Sequence, residues 1–300
     1  MYQLKFRERD QKWCIMSGAN CVSNSASRAK VLAKAKTMGW KVNMAPGQKS
    51  AQSVQETITV PNEFSINERF DFLTHFVKMV AKKKINSLVI SGPGGLGKTH
   101  TVVETLKSNG LTEDTIGEID GDFIMIKGFT TAKALYRLLW VNNGKVIVFD
   151  DCDSAHKDPI AANLLKGALD SSDRRIISWN AEFSESEEMP NRFEFFGRVV
   201  FISNVSMDKI PQALISRSMR VSLDMTSDEK LERIAAIIDQ ANFMPNLERD
   251  VKRAALKMLK SLKDKCTDLN IRTVMQLATL RDGVDDDAVF AKMASYMVQS

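Results

Sequence analysis

The residues best suited to chemistry lie in a glycine-rich stretch, residues 91–101, which reads SGPGGLGKTHT. Residues 92–99 fit the pattern G-x-x-x-x-G-K-[ST], whose glycines let backbone N–H groups point at phosphate oxygens. Lys98 is expected to reach the β and γ phosphates as a compact charge, and the Thr99 hydroxyl to ligate Mg²⁺. An ordinary glycine-rich turn before a helix needs neither side chain. The stretch therefore predicts a site for ATP and Mg²⁺.

A second chemical site follows an apolar run, where residues 145–151 read KVIVFDD. A buried parallel strand presents the residues at its carboxyl end to the edge of the sheet where phosphates bind. Asp150 is predicted to hold Mg²⁺ through water, and Asp151 to orient the attacking water. Two adjacent buried carboxylates are costly without a cation, which favours this role over a simple acidic turn. Asn204, after the next apolar run, is expected to contact the γ phosphate or the water.

Strand-like and helix-like segments alternate around these residues and predict how they are held. We expect strands at 87–90, 122–127, 145–151, 199–203 and 221–225, with helices at 67–82, 100–110, 130–140 and 158–170. This alternation predicts an α/β fold with a parallel sheet sandwiched by helices, and the glycine-rich motif makes it similar to a P-loop NTPase sheet. Residues 175–179 and 192–196 read as two arms of a hairpin. A helix after Pro211 is expected to end at residues 216–220, ahead of the last strand.

The chain divides by composition into four predicted parts. Residues 1–44 are read as a small basic ββαβ domain, with strands at 2–8, 12–17 and 40–44 and a helix over 25–38 capped by Ser25 or Ser27. Residues 45–62 are rich in Ser, Gln, Pro and Gly and predict a linker. Residues 63–225 form the α/β nucleotide-binding domain. From residue 226 four helix-like segments without a strand predict an all-α helical lid domain, residues 226–300.

Positive charge is concentrated at the start of the chain. Residues 1–50 hold ten Lys or Arg against two acidic residues, a net charge of +8, while the whole chain carries +5. Such a segment suggests an anionic partner, most simply nucleic acid. A solvated lysine-rich helix face is the alternative. Trp13 and Trp40 are expected in the core of this small domain, although exposed they would serve as base-stacking platforms.

Cysteine usage and hydropathy narrow the class of protein. The 4 cysteines and 3 histidines are scattered, which argues against zinc and favours free thiols. No apolar run approaches the length of a bilayer span, and the charged sequence MYQLKFRERD is unlike a signal peptide. We therefore expect a cytoplasmic protein with no membrane partner.

From about residue 63 to its end the chain resembles the AAA+ ATPases. GPGGLGKT is similar to Walker A and VIVFDD to Walker B, and FISN resembles the strand that carries sensor 1, at Asn204. ALISRS is similar to the Ser-Arg-Cys box of clamp-loader-type members, which makes Arg217 the candidate arginine finger and Arg220 its reserve. NIRTVMQL resembles sensor 2, with Arg272 as the candidate. The hairpin before sensor 1 resembles helicase and initiator members, but its acidic tip, with Glu182, Glu185, Glu187 and Glu188, weakens a helicase interpretation.

The resemblance implies a Mg²⁺-dependent ATPase whose nucleotide lies between an α/β domain and a helical lid. The nucleotide contacts that it implies are Gly92, Pro93, Gly94, Gly95, Leu96, Gly97, Lys98, Thr99 and His100. It also implies a homo-oligomer, a ring or open ring, in which the finger of one subunit completes the site of its neighbour. One departure is Asp151, where the family usually has Glu. The shorter side chain predicts slow hydrolysis or help from Asp153.

Three functions are compatible with these residues. The leading hypothesis is an ATP-hydrolysing oligomeric motor or loader on nucleic acid, acting in replication, recombination or genome processing. The alternatives are a protein remodeller or unfoldase, in which Phe129 grips polypeptide, and a nucleotide-controlled binding switch. Lys127, Gly128 and Phe129 lie where many ring-forming members place a pore loop, but a strand-end turn with a core Phe is the preferred explanation. A small-molecule kinase is a poorer fit, because it would need neither Arg217 nor Arg272.

Overall fold

The structure is a computed structural model, and the parts of the chain that it describes form two units. They are residues 2–7, 12–17, 20–25, 34–35, 38, 42–43, 63–115, 120–128, 131–152, 158–180 and 189–299. The units are Met1–Ile58 and Thr59–Ser300. The predicted linker, Trp40, Phe129, Asp153 and the four glutamates of the acidic tip lie outside the described residues.

The first unit contains a four-stranded sheet, one strand more than the sequence predicts. Its strands are β1 (Tyr2–Arg7), β2 (Lys12–Ser17), β3 (Asn20–Ser25) and β4 (Val42–Asn43), in the order β3-β2-β1-β4. The strand β3 was not predicted because NCVSNS is mostly polar and reads as a loop until β2 supplies its hydrogen bonds. Ser25 ends β3, and Ser27 lies outside the described residues. Lys34 is exposed and Ala35 buried, as the predicted packing face requires, but most of that helix and the Trp13 side chain are outside the described residues.

The second unit is built on a five-stranded parallel sheet. Its strands are β5 (Ser87–Ser91), β6 (Phe123–Lys127), β7 (Val146–Asp150), β10 (Arg198–Ile202) and β11 (Met219–Ser222). The helices that alternate with them are α1 (Ile66–Ala81), α2 (Lys98–Ser108), α3 (Ala132–Val141), α4 (Pro159–Leu169) and α5 (Gln212–Ile215). The order of strands is β11-β5-β10-β7-β6. The predicted α/β fold with a parallel sheet is confirmed.

Helices cover both faces of this sheet, which explains its unbroken apolar strands. Every residue of β5 and of β7 is buried. On one face α1 and α2 pack through residues such as Leu73 and Leu106, and on the other α3 and α4 pack through residues such as Leu135 and Leu165. Strands buried on both sides lose the alternation of polar and apolar residues that marks a half-exposed strand.

Between α4 and β10 the chain forms the predicted hairpin. Its arms are β8 (Ile176–Ser178) and β9 (Arg192–Glu194), which pair antiparallel with Ile177 opposite Phe193. Both of those side chains are buried in the core beneath α4. The hairpin is therefore packed against the body of the unit at its base.

The segment before the last strand differs from the prediction. The helix expected to continue to residue 220 ends at Ile215, and Met219 and Arg220 belong to β11. Arg220 pairs with Val89 and Val221 with Ile90 in parallel register. Backbone pairing with β5 competes with continuation of the helix. Local helix propensity does not include the stabilisation that a distant strand provides.

Four further helices follow the sheet: α6 (Ser227–Ile238), α7 (Arg249–Ser261), α8 (Ile271–Asp282) and α9 (Asp287–Gln299). Capping explains where two of them begin. Thr226 forms a capping box with Glu229 at α6, and the Asn270 side chain accepts from Thr273 N at α8. These helices share an apolar core of their own, with residues such as Ile234, Leu259 and Leu277. We call α6 to α9 the helical region.

Candidate nucleotide-binding site

The strand order brings the predicted chemical residues to one edge of the sheet. The strand β10 lies between β5 and β7, so that Ile202 pairs with Ile90 on one side and with Asp150 on the other. Past the strand ends, Ser203 N donates to Ile90 O at 2.9 Å and Asp151 N donates to Ile202 O at 3.2 Å. The glycine-rich loop, the two carboxylates and Asn204 therefore leave the sheet side by side.

The glycine-rich loop, residues 92–97, uses backbone conformations that other residues rarely adopt. Gly92, Gly95 and Gly97 have φ angles of 138°, 71° and 92°. Gly92 is also confined by its surroundings, because a Cβ there would lie 2.7 Å from the Leu223 carbonyl oxygen. Gly97 is the N-cap of α2, so the loop ends where backbone N–H groups point out of a helix. This geometry suits a phosphate.

Lys98 is buried at the centre of the loop, with 4% of its surface exposed. Its Nζ donates to Gly92 O at 2.7 Å, to Pro93 O at 2.8 Å and to Asn204 Oδ1 at 2.9 Å. Gly92 and Pro93, predicted as nucleotide contacts, thus offer their carbonyl oxygens to this ammonium group. A phosphate that binds Lys98 has to compete with three neutral acceptors, which a charged oxygen can do.

The Thr99 hydroxyl donates to Asp150 Oδ1 at 2.9 Å, and Asp150 is 8% exposed. A hydroxyl and a carboxylate are hard oxygen donors of the kind that Mg²⁺ binds together with water and phosphate oxygens. Among the described residues there is no group of three or more His, Cys, Asp and Glu side chains that could hold a metal by itself. The pair fits a Mg²⁺ ion that arrives with a nucleotide.

Asn204 connects the two halves of the site. Its Oδ1 accepts from Lys98, and its Nδ2 donates to the carboxylate of Asp151. Asp151 is exposed and has a φ of 56°, in the left-handed region, which Asp tolerates better than most residues. The result is a continuous path of hydrogen bonds, Lys98 to Asn204 to Asp151, along the carboxyl edge of the sheet.

A cavity of about 680 Å³ opens over this edge, of a size that suits a nucleotide. One wall is formed by the glycine-rich loop from Gly94 onward and by α2 as far as Ser108, about 15 Å of helix. The opposite wall belongs to the helical region, where Ile237, Ile271 and Met275 supply apolar surface. His100, which the resemblance named as a contact, is exposed and lines the cavity, whereas Leu96 does not.

Arg272, the sensor 2 candidate, lies on the helical wall. It is the second residue of α8, exposed, and lines the same cavity as Lys98 and Asn204. The start of α8 is bonded to the loop through Ile271 N, which donates to Gly95 O at 2.9 Å. Arg272 therefore borders the same cavity as the glycine-rich loop.

Arg217 and Arg220 are not among the residues that line the cavity. The Arg217 carbonyl accepts from Ser87 Oγ at 3.2 Å, and Ser87 begins β5, whereas the glycine-rich loop follows its end. The length of β5, about 13 Å, thus separates Arg217 from the loop. Its Nη1 donates to Ala213 O at 2.8 Å. Neither arginine is brought to this chain's own phosphate site.

Arg233 on α6 also lines the cavity, and sequence analysis missed it. Its guanidinium carbon lies 3.7 Å from the centre of the Phe70 ring, and its Nη1 donates to Asn67 Oδ1 at 3.3 Å. Its Nε is buried without a hydrogen-bond partner, and burial lowers the pKa of Arg233 to about 10, against the opposing effect of Asp71. An arginine within an amphipathic helix carries no motif, so no local signal marked it.

Comparisons with known proteins add one clear relationship. No family model matches the chain. The solved structure of C. elegans PCH-2 aligns with 78% of this chain and with 67% of the PCH-2 chain, at 11% sequence identity. The TM-score of this alignment is 0.37, which is too low to support a conclusion. Among the described residues no helix is long and apolar enough to cross a membrane. An uncharacterized 36.7 kDa protein from the nrdC-mobD intergenic region of Enterobacteria phage T4 is 31% identical over 230 residues, 71% of this chain and 69% of the phage protein. The chain therefore belongs to the same family as this phage protein.

Proposed function

We propose that this protein binds and hydrolyses ATP as an AAA+ ATPase and acts as an oligomeric motor or loader on nucleic acid. One observation carries the ATPase proposal. Asn204 joins Lys98 of the glycine-rich loop to Asp151, beside the Thr99–Asp150 pair, in a cavity that a helical region closes. Each of these side chains has a separate task in phosphoryl transfer, and they meet only because three strands end together.

The residues of the α/β wall divide the chemistry among them. The loop N–H groups and Lys98 bind the β and γ phosphates, and Asp151 orients a water for attack. Thr99 and Asp150 would hold Mg²⁺, which neutralises charge on the phosphates when it is bound. Asn204 holds Asp151 in place and senses the γ phosphate through the bond to Lys98. Arg272 adds positive charge from the opposite wall.

The position of Arg217 supports action on a neighbouring subunit. It lies at the amino edge of the sheet, away from this chain's own loop, so a role at a phosphate requires another copy of the chain. A head-to-tail contact of this kind joins unlike surfaces and gives rings or helical filaments. We therefore propose a ring or open ring in which Arg217 acts in trans.

The nucleic-acid part of the proposal rests on the net charge of +8 in residues 1–50. The protein remodeller depends on Phe129, which is outside the described residues, so the structure offers it no support. The nucleotide-controlled switch uses the same cavity and differs only in the rate of hydrolysis. A measured turnover number separates it from the motor.

The test is ATP turnover of the full chain with Mg²⁺, with and without single- and double-stranded DNA, alongside DNA binding as salt is raised. We expect stimulation by DNA and affinity that falls steeply with salt. Turnover without either response would refute the nucleic-acid role and leave the ATPase standing. Absence of both turnover and nucleotide binding in the assembled protein would refute the ATPase.

A further inference from the structure

Leu96 in the middle of the glycine-rich loop faces away from the cavity that the loop lines. Its side chain is fully buried in the core of the helical region, in one cluster with Leu231, Ile234, Val274 and Leu277. The pattern G-x-x-x-x-G-K-[ST] leaves this position open, since phosphate binding uses the backbone there. Packing against the helical region accounts for a large apolar residue that phosphate chemistry does not require.

The backbone on either side of Leu96 is held against α8 and α6 as well. Ile271 N donates to Gly95 O at 2.9 Å, and a Cβ on Gly95 would come within 3.0 Å of the Asn270 side chain. A Cβ on Gly97 would lie 3.7 Å from Ile271 Cδ1 and 4.0 Å from Ile237 Cδ1. Gly95 and Leu96 thus contact the helical region, Gly97 lies close to it, and only glycine at position 95 permits so close an approach.

The same contact determines where Arg272 stands. Arg272 follows Ile271, whose N–H is bonded to the loop, and α8 starts at this point through the Asn270 cap. The helix cannot move relative to the loop without withdrawing Leu96 from its core. A fully buried leucine resists withdrawal because its apolar surface would return to water or leave a cavity.

We propose that Leu96 is a positioning residue, which packs the phosphate-binding loop into the core of the helical region and so holds Arg272 over the nucleotide. The inference rests on the proposed function, because it assumes a nucleotide in the cavity. A change in loop conformation on binding is transmitted to α8 directly through this side chain. Conversely, a force on the helical region reaches the loop and changes its affinity for phosphate, since such coupling is reciprocal.

The test compares two leucines of the same core in the full-length protein. Leu96→Ala and Leu259→Ala each truncate a fully buried side chain, so both are expected to lower the melting temperature by similar amounts. Titration with the ATP analogue AMP-PNP and Mg²⁺ separates them. We expect affinity to fall at least about tenfold for Leu96→Ala and less than about threefold for Leu259→Ala, because Leu259 lies on α7 and belongs neither to the loop nor to α8. Leu96→Met, which conserves volume, should restore most of the affinity.

A double-mutant cycle with Arg272→Ala tests the mechanism. If Leu96 acts by placing Arg272, then Arg272→Ala weakens AMP-PNP binding in the wild-type background but has little further effect in Leu96→Ala. Equal losses of affinity for the two leucine variants, or additive effects in the cycle, would overturn the inference while wild-type binding upholds the ATP site. A wild-type protein that binds no AMP-PNP would overturn both. If an alanine variant does not fold, Leu96→Val and Leu259→Val provide the same comparison with a smaller truncation.

Discussion

The two walls of the cavity are built in different ways. On the α/β wall, the side chains proposed to act on phosphate hold one another by hydrogen bonds, from Lys98 through Asn204 to Asp151 and from Thr99 to Asp150. On the helical wall, Arg233 rests on Phe70 and Arg272 is exposed, and the wall itself is kept in place by an apolar core that includes Leu96. Strand register therefore determines the α/β wall, and side-chain packing determines the helical wall.

This difference suggests a division of labour. Groups placed by a parallel sheet keep their mutual distances, as bond making at a phosphate requires. Groups placed by packing move together with their helices, as opening and closing of a site requires. We expect substitutions on the α/β wall to affect turnover by large factors, and substitutions on the helical wall to act mainly on affinity.

The largest expected effect is that of Lys98→Ala. Removal of the ammonium leaves the phosphates without their closest charge, so binding of ATP or its turnover should fall at least about 1,000-fold. Lys107→Ala, on the same helix but paired with Glu113 at the surface, is the matched control and should behave as wild type. Unchanged binding and turnover in Lys98→Ala would remove the α/β wall from the chemistry altogether.

Arg217→Ala should leave AMP-PNP binding unchanged and reduce hydrolysis by about 1,000-fold, the contribution of an arginine that stabilises the transferring phosphoryl group. The activity should return when Arg217→Ala is mixed with Asp151→Asn, because each subunit then supplies the part that the other lacks. Failure of mixed, assembled subunits to recover turnover would count against a trans role. A loss seen with Arg220→Ala in place of Arg217→Ala would reassign the finger.

Asp151→Asn conserves the shape of the side chain and its bond from Asn204 but removes the charge that orients water. We expect AMP-PNP affinity within about threefold of wild type and turnover lowered by about 100-fold, the lower range for such a group. Asp173→Asn, which replaces an exposed carboxylate by an amide, serves as the control. Steady-state turnover near the wild-type value would show that another group orients the water.

The smallest effect is expected on the helical wall, from Arg233→Met. Since Arg233 Nε is buried without a partner, an apolar residue of similar length should leave the melting temperature unchanged or raise it. Loss of a cation from the cavity should nevertheless weaken AMP-PNP binding by about tenfold, because each charge-assisted contact contributes about that much. Lys257→Met, on the exposed face of α7, controls for charge. A lower melting temperature with unaltered affinity would make Arg233 a structural residue only.

Much of this organisation can be predicted from the sequence alone, because it depends on local patterns of residue type. Residue type and the period of apolar residues predict four features. They are the glycine-rich loop, the two aspartates after an apolar strand, the parallel α/β alternation and the four helices of the helical region. Even the hairpin between β8 and β9 was visible as two apolar arms around a polar tip. In all these cases the interactions that define the element lie within it or at its ends.

Only the tertiary structure decided which of these elements meet. Strand order placed β10 between β5 and β7, so that Asn204 joined Lys98 to Asp151, and pairing with β5 turned residues 219–222 into a strand. It also left Arg217 at the opposite edge of the sheet and buried Leu96 in the core of the helical region. Hydrogen bonds between strands and packing between distant helices depend on partners far apart in the chain. The local spacing of apolar residues therefore does not predict them.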